Sequence, residues 1–135
     1  MPEDGEVRPE VKPADEYRHV TDFIKYYSNN VRFEITAWDL TVIFGELAGN
    51  LPDGSSVVEQ KVAVKLSWPQ AKIMAIFLAV NVATHEETNG VQRVPSFAFG
   101  DRLKHLGNKD LTLEEMFPHI IKAFNEDIKP HLEKP

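Results

Sequence analysis

The sequence has no cysteine, few glycines and no apolar run long enough to cross a membrane. The absence of cysteine excludes disulfide bonds, thiolate metal sites and cysteine nucleophiles. The longest apolar stretch, residues 71–83, is well short of the roughly 20 residues that a membrane-spanning helix takes. The amino terminus lacks the basic start and apolar run of a secretory signal. We therefore expect a cytoplasmic protein that does not contact membranes.

Basic residues are also scarce, since 15 Lys and Arg face 21 Asp and Glu, for a net charge of −6. Binding to phosphate backbones relies on basic surface, so nucleic acid is a disfavoured partner. Residues 1–16 hold six of the acids and three of the nine prolines. Such a segment buries too little to offset its ordering entropy, so we expect a disordered acidic tail. Residues 17–135 are then expected to form a single domain.

Three segments have the patterns of β-strands. Residues 31–35 alternate apolar and polar side chains, residues 40–46 are apolar on both faces, and residues 57–66 alternate again. Short connections between them favour an antiparallel arrangement with one polar face. Asp39 is expected to bond the backbone of the first turn. A fourth strand around residues 97–99 is left open.

A helix is predicted directly after the third strand. Ser67 and Gln70 have the spacing of a capping box, and Pro69 lies in the first turn. The helix should run to about Thr88, where Asn89 and Gly90 supply a stop.

A second helix is signalled by Thr112 and Glu115, which repeat the capping-box spacing. Pro118 either kinks this helix or marks the first turn of a shorter one. We therefore predict an α+β fold: an antiparallel three- to four-stranded sheet with the long apolar helix packed on one face and a second helix near the carboxyl terminus.

The first helix is apolar all round, which is typical of a helix buried all round. One bulky face, Ile73, Ile76, Phe77 and Val80, can pack on the sheet. A second face remains, and it can be covered by the C-terminal helix or by a second copy of the chain. Small residues at every fourth position let two helices approach closely, which favours a homodimer. The expected dimer interface is Met74, Ala75, Leu78, Ala79 and Val82.

Four segments in residues 26–91 resemble a family of short bacterial and archaeal proteins, domain of unknown function 3467. They are YYSNNVRF, WDLTVIFGEL, VAVKLSWPQAK and NVATHEETNGV. Trp68 departs from the family pattern, because it separates the serine and proline at the helix start. Residues 92–135 extend beyond the resemblance. The resemblance implies a fold and no established activity, and it assigns no catalytic residue. The positions that match are Tyr27, Asn30, Val31, Arg32, Asp39, Phe44, Gly45, Ser67, Pro69, Ala71, Lys72, Glu86, Glu87 and Gly90.

The sequence shows no pattern typical of catalysis or of metal binding. No two histidines have the spacing of a zinc protease helix, and neither a nucleophile elbow nor a phosphate-binding loop is present. His85, Glu86 and Glu87 are interpreted as a solvated helix end, although the two glutamates oppose the helix dipole there. They could instead pair with Arg32 or Arg93 of a partner. We therefore predict no catalytic residue, no cofactor and no metal site.

The function that fits these features best is a small, non-enzymatic homodimeric module for assembly or protein binding. Its polar sheet face would bind another protein through Arg32, Glu34, Lys61 and Lys65. One alternative is a ligand-binding protein or enzyme with a pocket between sheet and helices, lined by Trp38, Trp68 and Phe97. A second alternative is nucleic-acid binding through the lysines of the third strand.

Overall fold

The computed structural model of the protein describes residues 14–95, 98–101, 103–108 and 110–132. The three strands form one sheet in the order β1-β2-β3. The sheet and the helices confirm the predicted α+β class and its antiparallel strands. In chain order the elements are β1 (Asn30–Ile35), β2 (Asp39–Asn50), β3 (Ser56–Ser67), α1 (Trp68–Asn89), a 3₁₀ helix (Lys104–Asn108), α2 (Leu113–Ala123), a π-helical turn (Phe124–Ile128) and α3 (Lys129–Leu132).

The optional fourth strand is not found where the structure describes the chain. Ala98 and Phe99 are in a 3₁₀ turn and a bend, and residues 96 and 97 lie outside the described residues. β2 extends to Asn50, four residues past the predicted end. Its turn is tight, because the Leu51 N–H donates to the Ser55 carbonyl at 2.7 Å. Hydrogen bonds from the hydroxyl and amide of Ser55 lower the pKa of Asp53 in this turn.

β2 is the buried strand, as its apolar residues on both faces predict. Thr41, Val42 and Ile43 are all buried. Gly45 is buried as well, and a Cβ atom there would lie 2.7 Å from Val58 Cγ1 and 2.8 Å from the Glu59 carbonyl oxygen. The close approach of β3 therefore requires glycine at this position.

α1 begins and ends as predicted. The Ser67 hydroxyl accepts a hydrogen bond from the Gln70 amide at 3.3 Å, and Pro69 occupies the first turn. Gly90 follows the helix with a φ of 93°, a backbone conformation that favours glycine. Its N–H donates to the Glu86 carbonyl at 2.8 Å and so satisfies one of the last carbonyls of α1.

α2 begins with the predicted capping box. The Thr112 hydroxyl accepts from the Glu115 amide, and the Glu115 carboxylate accepts from the Thr112 amide at 3.0 Å. The bonds from Thr112 lower the pKa of Glu115. Pro118 lies inside α2, which begins five residues before it, so the shorter-helix alternative is wrong. The cap is strong enough to start the helix although proline leaves the Glu114 carbonyl without its helical donor.

Glu86 joins the end of α1 to the start of α2. Its side chain is buried: Oε1 accepts from the Leu113 amide at 2.7 Å, and Oε2 accepts from the Gln92 amide at 3.0 Å. The Leu113 amide belongs to the first turn of α2, where a negative charge is favourable. The interpretation of Glu86 as a solvated residue is therefore wrong, and its pairing with Arg32 or Arg93 of a partner chain stays a prediction. Its partners are backbone amides of its own chain, which only the tertiary fold brings near.

The chain divides into two compact units. The first consists of Met1–Val31 and Phe44–Val62, and the second of Arg32–Ile43 and Ala63–Pro135. In the first unit, the Asn29 amide donates to the Gly45 carbonyl, and the Asn29 Oδ1 accepts from the Leu47 amide. Asn29 therefore extends the pairing with β2 rather than forming a turn.

The second unit contains all the helices. α1 packs against α2, and the buried apolar residues of the unit include Leu106, Met116 and Ala123. A single domain over residues 17–135 stays a prediction. The disordered acidic tail also stays a prediction, because residues 1–13 lie outside the described residues.

We expect Gly45→Ala to lower the free energy of unfolding by about 1–3 kcal/mol, because the added methyl group overlaps Val58 and the β3 backbone. Urea denaturation at a fixed protein concentration measures this change. Gly100→Ala is the matched control, since a Cβ atom there meets nothing within 4 Å. Equal effects of the two substitutions would contradict the close approach of β3 at Gly45.

We expect Glu86→Ala to cost about 2–3 kcal/mol of stability, because two backbone amides lose a charged acceptor. Glu86→Gln should cost less, since it retains one acceptor oxygen. Glu87→Ala at the exposed neighbour should stay within about 0.5 kcal/mol. The same denaturation measurement compares all three, and a larger loss for Glu87→Ala would refute the role of Glu86.

Candidate functional site

The candidate site is the surface of α1, and its position follows from how β3 runs into this helix. β3 ends at Ser67 and α1 begins at Trp68, so no loop separates them. Ser67 has an extended backbone, with φ −63° and ψ 156°. The Trp68 indole N–H donates to the Thr36 carbonyl at 3.1 Å, which ties the first turn of α1 to the β1–β2 turn.

Thr36 organises the β1–β2 turn. Its hydroxyl oxygen accepts from the amides of Trp38, at 3.1 Å, and Asp39, at 3.0 Å, and its own amide donates to the Asp39 carbonyl. The Asp39 carboxylate lies 3.0 Å from the same hydroxyl. The prediction that Asp39 bonds the turn backbone is therefore wrong, because Thr36 reaches those amides instead. The sequence signal for this role was the position of Thr36, two residues before Trp38 and three before Asp39.

The middle of α1 is open to solvent on more than one side in the single chain. Phe77, on the bulky face, is 62% exposed. Leu78, on the predicted dimer face, is 55% exposed. Within the single chain, the bulky face that we expected on the sheet therefore stays about half exposed. Beyond the first turn of α1, the large apolar side chains exposed in this way are Ile73, Ile76, Phe77, Leu78, Val80 and Val82.

The five residues of the predicted dimer interface are all at least partly accessible. Leu78, Val82 and Ala75 are exposed, and Met74 and Ala79 are partly buried. α2 reaches only the carboxyl-terminal end of α1, where Glu86, Glu87 and Ala83 line a cleft of 60 Å³ with Thr112 and Glu114. The interface stays a prediction, and its residues are free to meet another molecule.

The polar residues predicted to bind a protein are partly engaged in ion pairs. Arg32 lies 3.5 Å from Glu34, and Lys61 lies 3.2 Å from Glu46. Lys65 is exposed. Each of these ion pairs joins opposite charges and so offsets the charge of its own lysine or arginine.

The first unit contains an open cleft of about 490 Å³. Its walls are mostly apolar, and Lys61 and Asp22 are its charged members. The Ser28 hydroxyl at its edge lies 2.9 Å from the carbonyls of Asn30 and Gly45, so it is already bonded to the backbone. The lining residues are Asp22, Ile24, Tyr26, Ser28, Phe44, Lys61 and Val62.

The second unit has a smaller polar cleft beside α2. His105 and His119 meet edge to face, with ring centroids 6.5 Å apart, and Lys122, Glu126 and Asp127 complete the 210 Å³ cleft. Even so, nowhere in the described parts of the chain do three or more His, Asp or Glu side chains converge as metal ligands.

The aromatic pocket that we considered between sheet and helices stays a prediction, because only two of its three residues are described. Trp38 is 86% exposed at the β1–β2 turn, and neither it nor Trp68 lines any of the three clefts. Phe97 lies outside the described residues. The residues that do line the larger cleft come largely from the segment before β1, in which every second residue from Asp22 to Ser28 faces the cleft.

Within the part of the chain that the structure describes, no helix is both long enough and apolar enough to span a bilayer.

Comparisons with known proteins place the chain in a family. A search of curated proteins and a search of solved structures both find no match. A family model described as a protein of unknown function, domain of unknown function 3467, matches residues 2–113. The match confirms the predicted family and extends past residues 26–91 in both directions, through the start of α2. The chain belongs to the family of domain of unknown function 3467.

Proposed function

We propose that the protein is a small homodimeric assembly module without catalytic activity, whose interface is the exposed apolar surface of α1. The single observation that carries this proposal is the exposure of six large apolar side chains along one helix. A contiguous apolar patch of this kind is typical of an interaction site rather than of a monomer surface.

The residues of the interface fit a second copy of the same chain. Ala75 and Ala79 lie four residues apart, and each directly follows one of the larger residues Met74 and Leu78. Two such helices crossing at a two-fold axis bring the small residues together and let the large side chains interdigitate. Each copy then covers the surface that the other leaves exposed.

A ligand-binding protein is a second candidate, and the open cleft of the first unit favours it. Its volume of about 490 Å³ is in the range of small-molecule sites. Apolar walls with Lys61 at one side suit an apolar acid. Lys61 already pairs with Glu46, however, so such an acid must compete with that carboxylate.

Nucleic-acid binding through β3 has less support. The carboxylate of Glu46 offsets the charge of Lys61, which leaves Lys65 as the other exposed lysine of the strand. Salt-dependent binding of duplex DNA would support this function. A prokaryotic origin and a cytoplasmic location also stay proposals; the absence of cysteine is compatible with a reducing compartment.

We expect Leu78→Glu to weaken dimerisation by roughly 100-fold or more, because an uncompensated charge buried in an interface costs about 3–5 kcal/mol. Sedimentation velocity over a range of concentrations measures the shift from dimer to monomer. Gln70→Glu is the control, since it adds the same charge to an exposed position in the first turn of α1. A wild-type chain that sediments as a monomer at all concentrations would end the assembly proposal.

If the cleft binds small acids, a thermal-shift screen with apolar carboxylates should raise the melting temperature of the wild-type protein. Lys61→Met should abolish that rise, because it removes the one cation lining the cleft. Lys65→Met, on the same strand, should leave the rise intact. A screen without hits, or equal losses in both variants, counts against a ligand site here.

A further inference from the structure

β1 lies at one edge of the sheet, and no strand of the described residues lies beyond it. Five of its six residues are exposed, and only Asn30 is partly buried. An edge strand presents backbone N–H and C=O groups that can pair with another strand. Natural edges are often protected from such pairing by lysine or proline, and β1 contains neither residue.

The side chains of β1 form a pattern that is complementary to itself. Val31, Phe33 and Ile35 alternate with Arg32 and Glu34, so the apolar side chains share one face of the strand and the two charges share the other. Phe33 lies between the opposite charges. When a second copy of this strand is reversed and placed beside the first, each charge can face its opposite.

The charges select one register for this pairing. Because side-chain faces and backbone directions both alternate along a strand, a two-fold axis between two copies passes through a residue and its own copy. An axis at Arg32 or at Glu34 places two like charges directly opposite each other, which is destabilising. Axes nearer the ends of β1 leave half of the strand or more unpaired.

An axis at Phe33 avoids both problems. It places Arg32 opposite Glu34 in two reciprocal pairs, and opposite charges in facing positions stabilise strand pairing. It also places Phe33 opposite its own copy. Val31 then faces Ile35, so apolar side chains meet apolar side chains along the whole of the other face.

We propose that β1 pairs with β1 of a second copy of the chain, antiparallel about a two-fold axis at Phe33. The two three-stranded sheets then form one continuous sheet. Arg32 already lies 3.5 Å from Glu34 within each chain. In the paired strands each arginine therefore has a carboxylate on its own strand and another on the facing strand. This contact goes beyond the proposed α1 interface, because β1 and α1 contribute different surfaces.

The other edge of the sheet, β3, is less suited to such pairing. It carries Lys61 and Lys65, and lysine is a common protection of an edge strand. Lys61 is also held 3.2 Å from Glu46 of the neighbouring strand. Charge changes on β3 therefore provide a comparison for charge changes on β1.

The absence of cysteine allows the register to be tested with a single disulfide. Two short strands bury less than the roughly 1,200 Å² of a stable interface, so the contact is weak alone and is best trapped covalently. Phe33→Cys places two thiols on facing residues whose Cα atoms are about 4.5–5.5 Å apart, which a disulfide spans. In a glutathione redox buffer, this variant should form a disulfide-linked dimer on a non-reducing gel.

Arg32→Cys and Glu34→Cys are the matched controls. In the proposed register each lies about 8 Å from its own copy, which is too far for a disulfide, so neither variant alone should form a dimer. A mixture of the two, with one chain tagged, should form the mixed disulfide, because these residues face each other. The mixture also tests the register if circular dichroism shows that Phe33→Cys does not fold.

Charge reversal tests the same register in the Phe33→Cys chain. Arg32→Glu places a glutamate opposite Glu34 in both pairs and should slow disulfide formation by about tenfold. Adding Glu34→Arg exchanges the two charges and should restore the rate. Lys65→Glu, on the other edge strand, should leave the rate unchanged. Equal slowing by Arg32→Glu and Lys65→Glu would count against pairing through β1.

The Leu78→Glu background separates this contact from the α1 interface. The Phe33→Cys disulfide should still form there, and its loss would overturn β1 as a second contact. Equal dimer formation by the three single cysteine variants would reflect chance collisions and overturn the register. A wild-type chain that sediments as a dimer, with no disulfide in folded Phe33→Cys or in the mixture, overturns the β1 pairing and leaves the α1 interface standing.

Discussion

The direct passage from β3 into α1 is the constraint on which the rest of this structure depends. Because no residue separates strand from helix, the direction of α1 is set at its first turn, where Ser67 caps it and the Trp68 indole bonds the Thr36 carbonyl. In the single chain, the apolar side chains in the middle of this helix stay about half exposed. This exposure is the basis of the proposed association.

Polar anchors at the two ends of α1 leave its middle open. At one end, the hydroxyl of Thr36 holds the turn that Trp68 contacts. At the other, the buried carboxylate of Glu86 accepts from the first turn of α2 and fixes that helix against the end of α1. Between these anchors, Phe77 and Leu78 stay accessible. The arrangement therefore leaves the apolar middle of the helix exposed to solvent while both of its ends are held.

Charged residues of the sheet lie in local ion pairs, and its open cleft is separate from the apolar helix. The ion pairs of the sheet, Arg32 with Glu34 and Lys61 with Glu46, are local and partly exposed, and each offsets its own charge. Membership of the family of domain of unknown function 3467 brings a shared fold to this chain and no activity. The open cleft belongs to the first unit and the apolar helix to the second. Ligand binding and assembly are therefore separable properties that different residues would carry.

Local patterns were sufficient to predict the elements of this fold. Alternation identified β1 and β3, the uniformly apolar β2 proved to be the buried strand, and the spacing of Thr112 and Glu115 located the start of α2. Pro118 was ambiguous because proline is compatible both with a kink inside α2 and with the first turn of a shorter helix. The capping box of Thr112 and Glu115 decides between them. Asp39 was misassigned because several polar residues of one short turn compete for the same amides.

What the sequence alone determined was the three strands, α1, the start of α2 and the apolar character of α1, since these depend on neighbours a few residues apart. Only the tertiary structure decided the partners of Glu86, the residues that line the cleft and which faces of α1 remain uncovered. Those features join residues far apart in the chain. Their positions depend on the packing directions of whole elements, which no local spacing encodes.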